Sequence, residues 1–133
     1  MKRETQSRAG RLVGALLVGI TATLAAQQPA ITRTVLQRAD MSVAGREAVT
    51  AKAEFPMNGS TGRHTHPGEE VSYVQEGTIT LEVDGAAAKT LKAGDVFFIP
   101  AGKIHNATAA AGRAVVIANY IVEKGKPLTE PVK

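Results

Sequence analysis

Hydrophobic and polar residues alternate along several short stretches of this chain. From Val49 to Phe55, and again from Thr78 to Val83, every second position is apolar and polar residues lie between. This period of two predicts half-buried β-strands, because successive side chains of a strand point to opposite faces. The Asp84-Gly85 dipeptide then predicts a two-residue hairpin, with Ala86 to Leu91 as its return strand.

Apolar runs between glycine and proline turns predict further strands. They cover Val71 to Gln75 and Val96 to Ile99, and another strand opens at His105. The run from Ala114 to Val122 is apolar at nearly every position, which predicts a strand buried on both faces. After residue 26 no segment carries a sustained helical period, so the pattern predicts an all-β domain in the form of a closed sandwich or barrel.

The first 26 residues have the three-part pattern of a signal peptide. Positive charges near Met1 precede an apolar run from Leu12 to Ala26. The pattern predicts a signal-peptide helix over residues 1–26, cleavage after Ala25 or Ala26, and export to the periplasm or the medium. The alternative is a membrane anchor or a buried helix, but a membrane-spanning helix needs about 20 apolar residues. We therefore expect no stable membrane insertion after cleavage.

Cleavage would leave 107 of the 133 residues, which is enough for one domain. The patterns predict an N-terminal arm at 27–46, a barrel domain at 47–123 and an extended tail at 124–133. The net charge would fall from +4 to about +1, because the removed segment carries four basic residues and one acid. The remaining basic residues are spread among acids, which argues against nucleic acid as a partner. The absence of cysteine excludes thiol nucleophiles, disulfides and cysteine-bound zinc.

Two of the three histidines lie two positions apart, at His64 and His66. On an extended strand both imidazoles would share one face. Glu70 follows the Pro67-Gly68 pair, which can turn the chain and bring the carboxylate back beside the imidazoles. Two imidazoles and a carboxylate form most of a site for a divalent first-row metal, and His105 would complete it.

These residues belong to two motifs whose spacing resembles the conserved motifs of the cupins. The first motif is carried by His64, His66, Glu70 and Gly77, and the second by Gly94, Pro100, Gly102 and His105. Two positions depart from the family pattern: Gly59 stands one residue closer to His64, and Ala109 replaces an asparagine. The resemblance covers about residues 47 to 122.

The resemblance implies a double-stranded β-helix, a jelly-roll barrel, with a metal site inside. It also implies that His64, His66, Glu70 and His105 are the metal ligands, holding one divalent transition metal per chain: iron, manganese, nickel, cobalt or zinc. Since cupins pair through sheet edges, the resemblance further implies a homodimer.

Several functions remain open at this point. The leading hypothesis is a dioxygenase-like oxidoreductase that acts on a small chelating organic substrate, because four protein ligands leave two metal positions open. The alternatives are a metal-dependent lyase, decarboxylase or isomerase, and a non-catalytic module that binds a small ligand. Phe98, Tyr73 and Arg63 are candidates for the substrate pocket, as an apolar wall, a proton donor and a charge for an anion.

Overall fold

The computed structural model describes residues 27–133 and consists of ten β-strands in that range. The predicted signal-peptide helix falls on residues 1–26, outside the described part. The strands are β1 (Thr32–Asp40), β2 (Arg46–Phe55), β3 (His64–Thr65), β4 (Gly68–Glu76), β5 (Thr78–Val83), β6 (Lys89–Lys92), β7 (Val96–Ile99), β8 (His105–Thr108), β9 (Ala114–Glu123) and β10 (Glu130–Pro131). Between residues 27 and 133 there is no helix of the length and apolarity that crossing a membrane requires.

Two five-stranded sheets enclose the interior of the domain. One sheet has the order β1-β2-β9-β4-β7, and the other has the order β10-β3-β8-β5-β6. Neighbouring strands within each sheet run antiparallel. Buried apolar side chains form two clusters. The larger one takes residues from both sheets, among them Phe55, Val74, Ile79, Ile99 and Val116. The smaller one lies between β2 and β9 and consists of Val49, Ala51, Ala118, Tyr120 and Val122. The predicted all-β class is therefore confirmed, and the arrangement is that of two packed antiparallel layers.

The alternating pattern located two strands correctly, β2 and β5. The segment from Val49 to Phe55 lies in β2, whose residues alternate between buried and half-buried positions. The loop of the hairpin is longer than predicted. The return strand β6 begins at Lys89, which pairs with Leu81, and not at Ala86. Asp84-Gly85 does form a tight turn, closed by a hydrogen bond from the Ala86 amide to the Val83 carbonyl at 3.0 Å. Residues 86–88 connect this turn to β6 and do not pair with β5.

The prediction for Ala114 to Val122 was wrong on one point. Strand β9 lies between β2 and β4 in its sheet and is buried on its inner face, but its outer face includes the exposed Asn119. The two outer isoleucines, Ile117 and Ile121, are only half-buried. The run is apolar because β9 is the central strand of this sheet, and not because a second layer covers its outer face.

Both ends of the described chain join the sheets. Within the predicted N-terminal arm, β1 pairs along its length with β2. Within the predicted extended tail, β10 pairs with β3, placing Pro131 opposite His64. The tail therefore passes directly beside one of the candidate metal ligands.

Candidate metal centre

Three histidines converge inside the barrel from two strands and a connection. His64 opens β3 and is the direct cross-strand partner of His105, which opens β8. His66 lies just after β3, where the chain leaves one sheet for the other. Their ring centres are 4.2 to 5.0 Å apart, and each residue is only 3% exposed. The structure thus brings together the three histidines that the sequence singled out.

Backbone carbonyls determine which nitrogen of each ring carries the proton. The Nδ1 atoms of His64, His66 and His105 lie 2.8, 2.6 and 2.9 Å from the carbonyl oxygens of Gly62, Leu128 and Lys103. A carbonyl oxygen only accepts hydrogen bonds, so each Nδ1 must donate. In the neutral rings, every Nε2 is then left as an unprotonated nitrogen with a free lone pair. This is the tautomer that a metal ligand requires.

The free nitrogen atoms face one another and a carboxylate. His64 Nε2 lies 3.2 Å from His66 Nε2, and Glu70 Oε2 lies 3.0 Å from His66 Nε2 and 3.3 Å from His105 Nε2. Two ligands bound at right angles, each about 2.1 Å from a metal ion, would be about 3 Å apart. Lone pairs at these separations repel one another unless a cation or a proton lies between them. The donor set therefore fits a divalent metal ion, and the three histidines form a group able to hold one.

Glu70 is held as a carboxylate by its neighbours. Burial alone would raise its pKa, but the nearby His105 and His66 rings and the hydrogen bond from Ser72 outweigh burial and lower the pKa well below its usual range. The Ser72 hydroxyl donates to Glu70 Oε1 at 2.6 Å, which leaves Oε2 directed at the imidazoles. Glu70 thus presents one charged oxygen to the centre at neutral pH.

Burial also keeps His64 in its neutral form. Burial lowers the pKa of His64 to about 4, against the opposing effect of its hydrogen bond to the Gly62 carbonyl. The nearby His105 and His66 rings act in the same direction as burial. At neutral pH, His64 is therefore available as a nitrogen ligand without first losing a proton.

Gly68 allows the chain to carry His66 and Glu70 to the same centre. It lies directly against strand β9, and a Cβ atom at this position would overlap the carbonyl oxygen of Ile121 and come within 2.7 Å of the Val122 Cα. No side chain fits there. The close approach lets β4 begin immediately after the crossing and pair with β9 from its first residue.

Replacing Ser72 by alanine is expected to weaken divalent-metal binding by about 10- to 100-fold, because Glu70 would lose the hydrogen bond that orients it. Titration with a competing chelator measures the affinity. Ser42→Ala, at an exposed position outside the strands, is the matched control and should bind like the wild type. Equal affinity in Ser72→Ala and wild-type protein would show that the hydroxyl does not position the carboxylate.

A small cavity opens beside the histidines. Its volume is about 350 Å³, including the part that is open to solvent. Apolar side chains such as Phe55, Ile79 and Phe97 form most of its wall. Its polar lining comes from Arg33, Thr61, His64, Glu70, His105 and Tyr120. A ligand that enters this space must be small.

The three residues predicted for the substrate pocket lie outside this cavity. Tyr73 and Phe98 are 43% and 57% exposed on the outer face of their sheet. Phe98 pairs with the outward Val71, and Phe97 pairs with the inward Ser72, so the register directs Phe97 into the cavity.

Arg63 lies at the surface, where it forms an ion pair with Asp84 at 2.8 Å. Its side chain is about half exposed, and it does not line the cavity beside the histidines. The guanidinium that does line this cavity belongs to Arg33 instead.

Sequence reasoning missed four contributors to the site. Tyr120 is 2% exposed, and its ring centre lies 4.7 Å from that of His66. Tyr120 lies two positions after Ala118 in β9, and both point inward. This spacing was a signal that could have identified Tyr120 from the sequence. Arg33 reaches the site because β1 pairs with β2, and the Leu128 carbonyl reaches it beside β10, which pairs with β3. No local sequence pattern marks either of them. Ser72 lies two positions after Glu70 in β4, so the two side chains point to the same face of the strand.

Comparisons with known proteins agree with this architecture. The family model described as cupin domain matches residues 51–122. No curated protein matches the sequence.

Solved structures with a similar fold come from several bacteria. A cupin-like protein from Thermotoga maritima is 24% identical, with 77% of this chain and 75% of that chain covered and a TM-score of 0.63. KdgF from Halomonas sp. is 21% identical, with coverages of 71% and 81% and a TM-score of 0.60. An RmlC-like cupin from Shewanella frigidimarina is 26% identical, with coverages of 67% and 86% and a TM-score of 0.54. These likenesses concern the fold and not the activity.

Proposed function

The chain belongs to the cupin family, and from this premise we propose that it is a metal-dependent enzyme, of the dioxygenase-like type, for a small chelating organic molecule. The observation that carries the proposal is the set of three imidazole Nε2 atoms and one carboxylate oxygen, held in their metal-ready forms by backbone carbonyls and Ser72. His64, His66, His105 and Glu70 would hold one divalent ion. Such an ion, when bound, would bring a chelating substrate and dioxygen together and stabilise negative charge on the substrate.

The side chains around the centre support chemistry on a small molecule. The largely apolar wall lowers the local polarity around the centre, which strengthens charge interactions inside the cavity. Burial raises the pKa of Tyr120, so its hydroxyl keeps its proton at neutral pH and can donate a hydrogen bond to a ligand oxygen. Glu70 adds one negative charge to the three imidazole nitrogens, which favours a divalent cation over a monovalent one.

We also propose that the protein works outside the cytoplasm. This rests on the charged start and on the apolar run from Leu12 to Ala26, which ends in the two small residues Ala25 and Ala26. Detection of a shortened chain in the periplasmic or secreted fraction would support it. Retention of the full-length chain inside the cell would contradict it.

Iron- or manganese-loaded protein is expected to consume dioxygen when it is supplied with 2,4-pentanedione or a short 2-oxo acid, and an oxygen electrode measures the rate. Metal-free protein and His66→Ala should both fall to the background rate, because His66 supplies one of the nitrogen ligands. An absence of oxygen uptake with every small chelating substrate would contradict the dioxygenase-like activity.

One observation favours a second candidate, a metal-dependent lyase, decarboxylase or isomerase. Tyr120 lines the cavity, and a tyrosine hydroxyl beside the centre can donate a hydrogen bond to the substrate anion that such chemistry forms. Product formation that is equally fast with and without dioxygen identifies this class. Tight ligand binding without any turnover would instead indicate a binding module.

A further inference from the structure

Arg33 lies on the same face as the residues that surround the candidate metal centre. It pairs directly with Ala53, whose side chain is 4% exposed and lines the cavity. Opposite residues on neighbouring strands point to the same face of the sheet. The Arg33 side chain accordingly lines this cavity together with His64 and Tyr120. It contributes the positive charge nearest to the metal-binding side chains on this wall.

The guanidinium of Arg33 is poorly paired within the protein. Its Nε is buried and has no hydrogen-bond partner among residues 27–133. Its Nη1 donates a long hydrogen bond, 3.4 Å, to the Thr129 hydroxyl, and the guanidinium also lies near the Tyr120 hydroxyl. In the same range of residues, no carboxylate lies within 4.0 Å of its nitrogen atoms. A partly buried arginine with this environment retains most of its capacity to bind an anion.

Other arginines of the domain are paired differently. Arg38 forms an ion pair with Glu47 at 2.7 Å, and Arg113 forms one with Glu76 at 2.7 Å. These arginines lie on the outside with exposed side chains, whereas Arg33 lines the cavity and has no carboxylate partner among the described residues. Leaving a buried donor unpaired costs free energy that a bound anion would recover. Among residues 27–133, Arg33 has no carboxylate partner, so its charge is available to an anion that enters the cavity.

Charge and size restrict that partner. Glu70 is the carboxylate in the cavity wall, and its two oxygens are already engaged by Ser72 and by the two histidines His66 and His105. A divalent ion together with Arg33 would exceed the single negative charge of Glu70, so the cavity would attract an anion. The cavity beside the histidines has a volume of about 350 Å³, part of it open to solvent, so its ligand must be small.

We propose that Arg33 binds the carboxylate of a short organic acid whose second oxygen, from a keto, hydroxyl or second carboxyl group, reaches the metal centre. This inference rests on the proposed function, and it narrows the substrate from any small chelating molecule to a short carboxylic acid. Arg33 is the specificity residue for that acid, because its planar guanidinium donates two parallel hydrogen bonds to a carboxylate.

The test measures ligand binding to cobalt-loaded protein by calorimetry and by the visible absorption of the bound cobalt. Pyruvate, glycolate and malonate are the probes, and pyruvamide is the uncharged match for pyruvate. We expect wild-type protein to bind at least one of the acids. Arg33→Met should weaken that binding by about 10- to 100-fold and leave cobalt affinity and pyruvamide binding within about twofold, and Arg33→Lys should restore part of the affinity. Arg113→Met, at an exposed ion pair, is the matched control and should bind as wild type does.

Three outcomes would overturn the inference: no binding of any of the acids to wild-type protein, equal binding by Arg33→Met, or a larger loss in Arg63→Met than in Arg33→Met. The unchanged cobalt affinity shows that Arg33→Met is folded and that its centre is intact. Arg33-dependent binding without turnover would refute the proposed enzyme while supporting the carboxylate site. Turnover of an acid at the same KM in Arg33→Met and wild-type protein would support the proposed enzyme and refute the carboxylate site.

Discussion

Replacing His105 by alanine is expected to lower divalent-metal affinity by more than about 100-fold, because the change removes a nitrogen ligand and not merely a group that orients one. The wild-type chain should retain one ion per molecule after dialysis, and His105→Ala should retain none. Elemental analysis measures the ratio of metal to protein, and chelator competition measures the affinity. The substitution also removes the 3.3 Å contact between His105 Nε2 and Glu70.

Asn106→Ala is the matched control for this experiment. Asn106 is the next residue of β8, and its side chain points out of the barrel to Ser60 and Glu82. The Asn106→Ala variant should therefore bind metal as the wild type does. A metal concentration of 100 times the dissociation constant should stabilise wild-type protein by about 2.7 kcal/mol, and this stabilisation should vanish in His105→Ala. Metal retention by His105→Ala at wild-type affinity would show that the three-histidine centre is not the binding site.

Replacing Gly68 by alanine is expected to destabilise the domain by about 3 kcal/mol or more, because the added Cβ would overlap the backbone of β9. Backbone atoms in a paired strand cannot move aside as a flexible side chain can. The strand crossing between His66 and Glu70 would have to shift, so the metal centre should be lost as well. Denaturant unfolding followed by circular dichroism measures the change in the free energy of unfolding.

Gly45→Ala separates this steric effect from the general cost of replacing a glycine. Gly45 has a left-handed backbone, with a φ of 77°, but a Cβ there would have no atom within 4 Å. Its substitution should cost only about 1 kcal/mol and leave metal binding unchanged. Comparable stabilities for the two variants would contradict the close packing of Gly68 on β9.

The strands were largely predictable because their signal is local. The alternation from Val49 to Phe55 depends only on which side chains face the core, and β2 follows it along its length. Partner choice was not predictable, since β2 pairs with β9, which lies about sixty residues further along the chain. The same limit explains the error at Ala114 to Val122, because an apolar run does not reveal whether a second layer covers its outer face.

The candidate site was also predictable only in part. His64, His66, Glu70 and His105 were identified from spacing, and the structure brings all four together at the centre. The predicted pocket residues were chosen by their chemistry and their nearness in sequence to the ligands. Their orientation depends on register, and β7 pairs with β4 so that Phe98 points to solvent.

The amino-acid sequence by itself determined the all-β class, the main strands and the histidines with their carboxylate, because alternation and fixed spacing are properties of short segments. Only the tertiary structure decided what surrounds those ligands. Pairing of β1 with β2 directs Arg33 to the cavity, and the tail that carries β10 lays the Leu128 carbonyl against His66. These contacts join residues up to 96 positions apart, as Arg33 and Thr129 are. They arise from the closure of the two sheets, which no local pattern encodes.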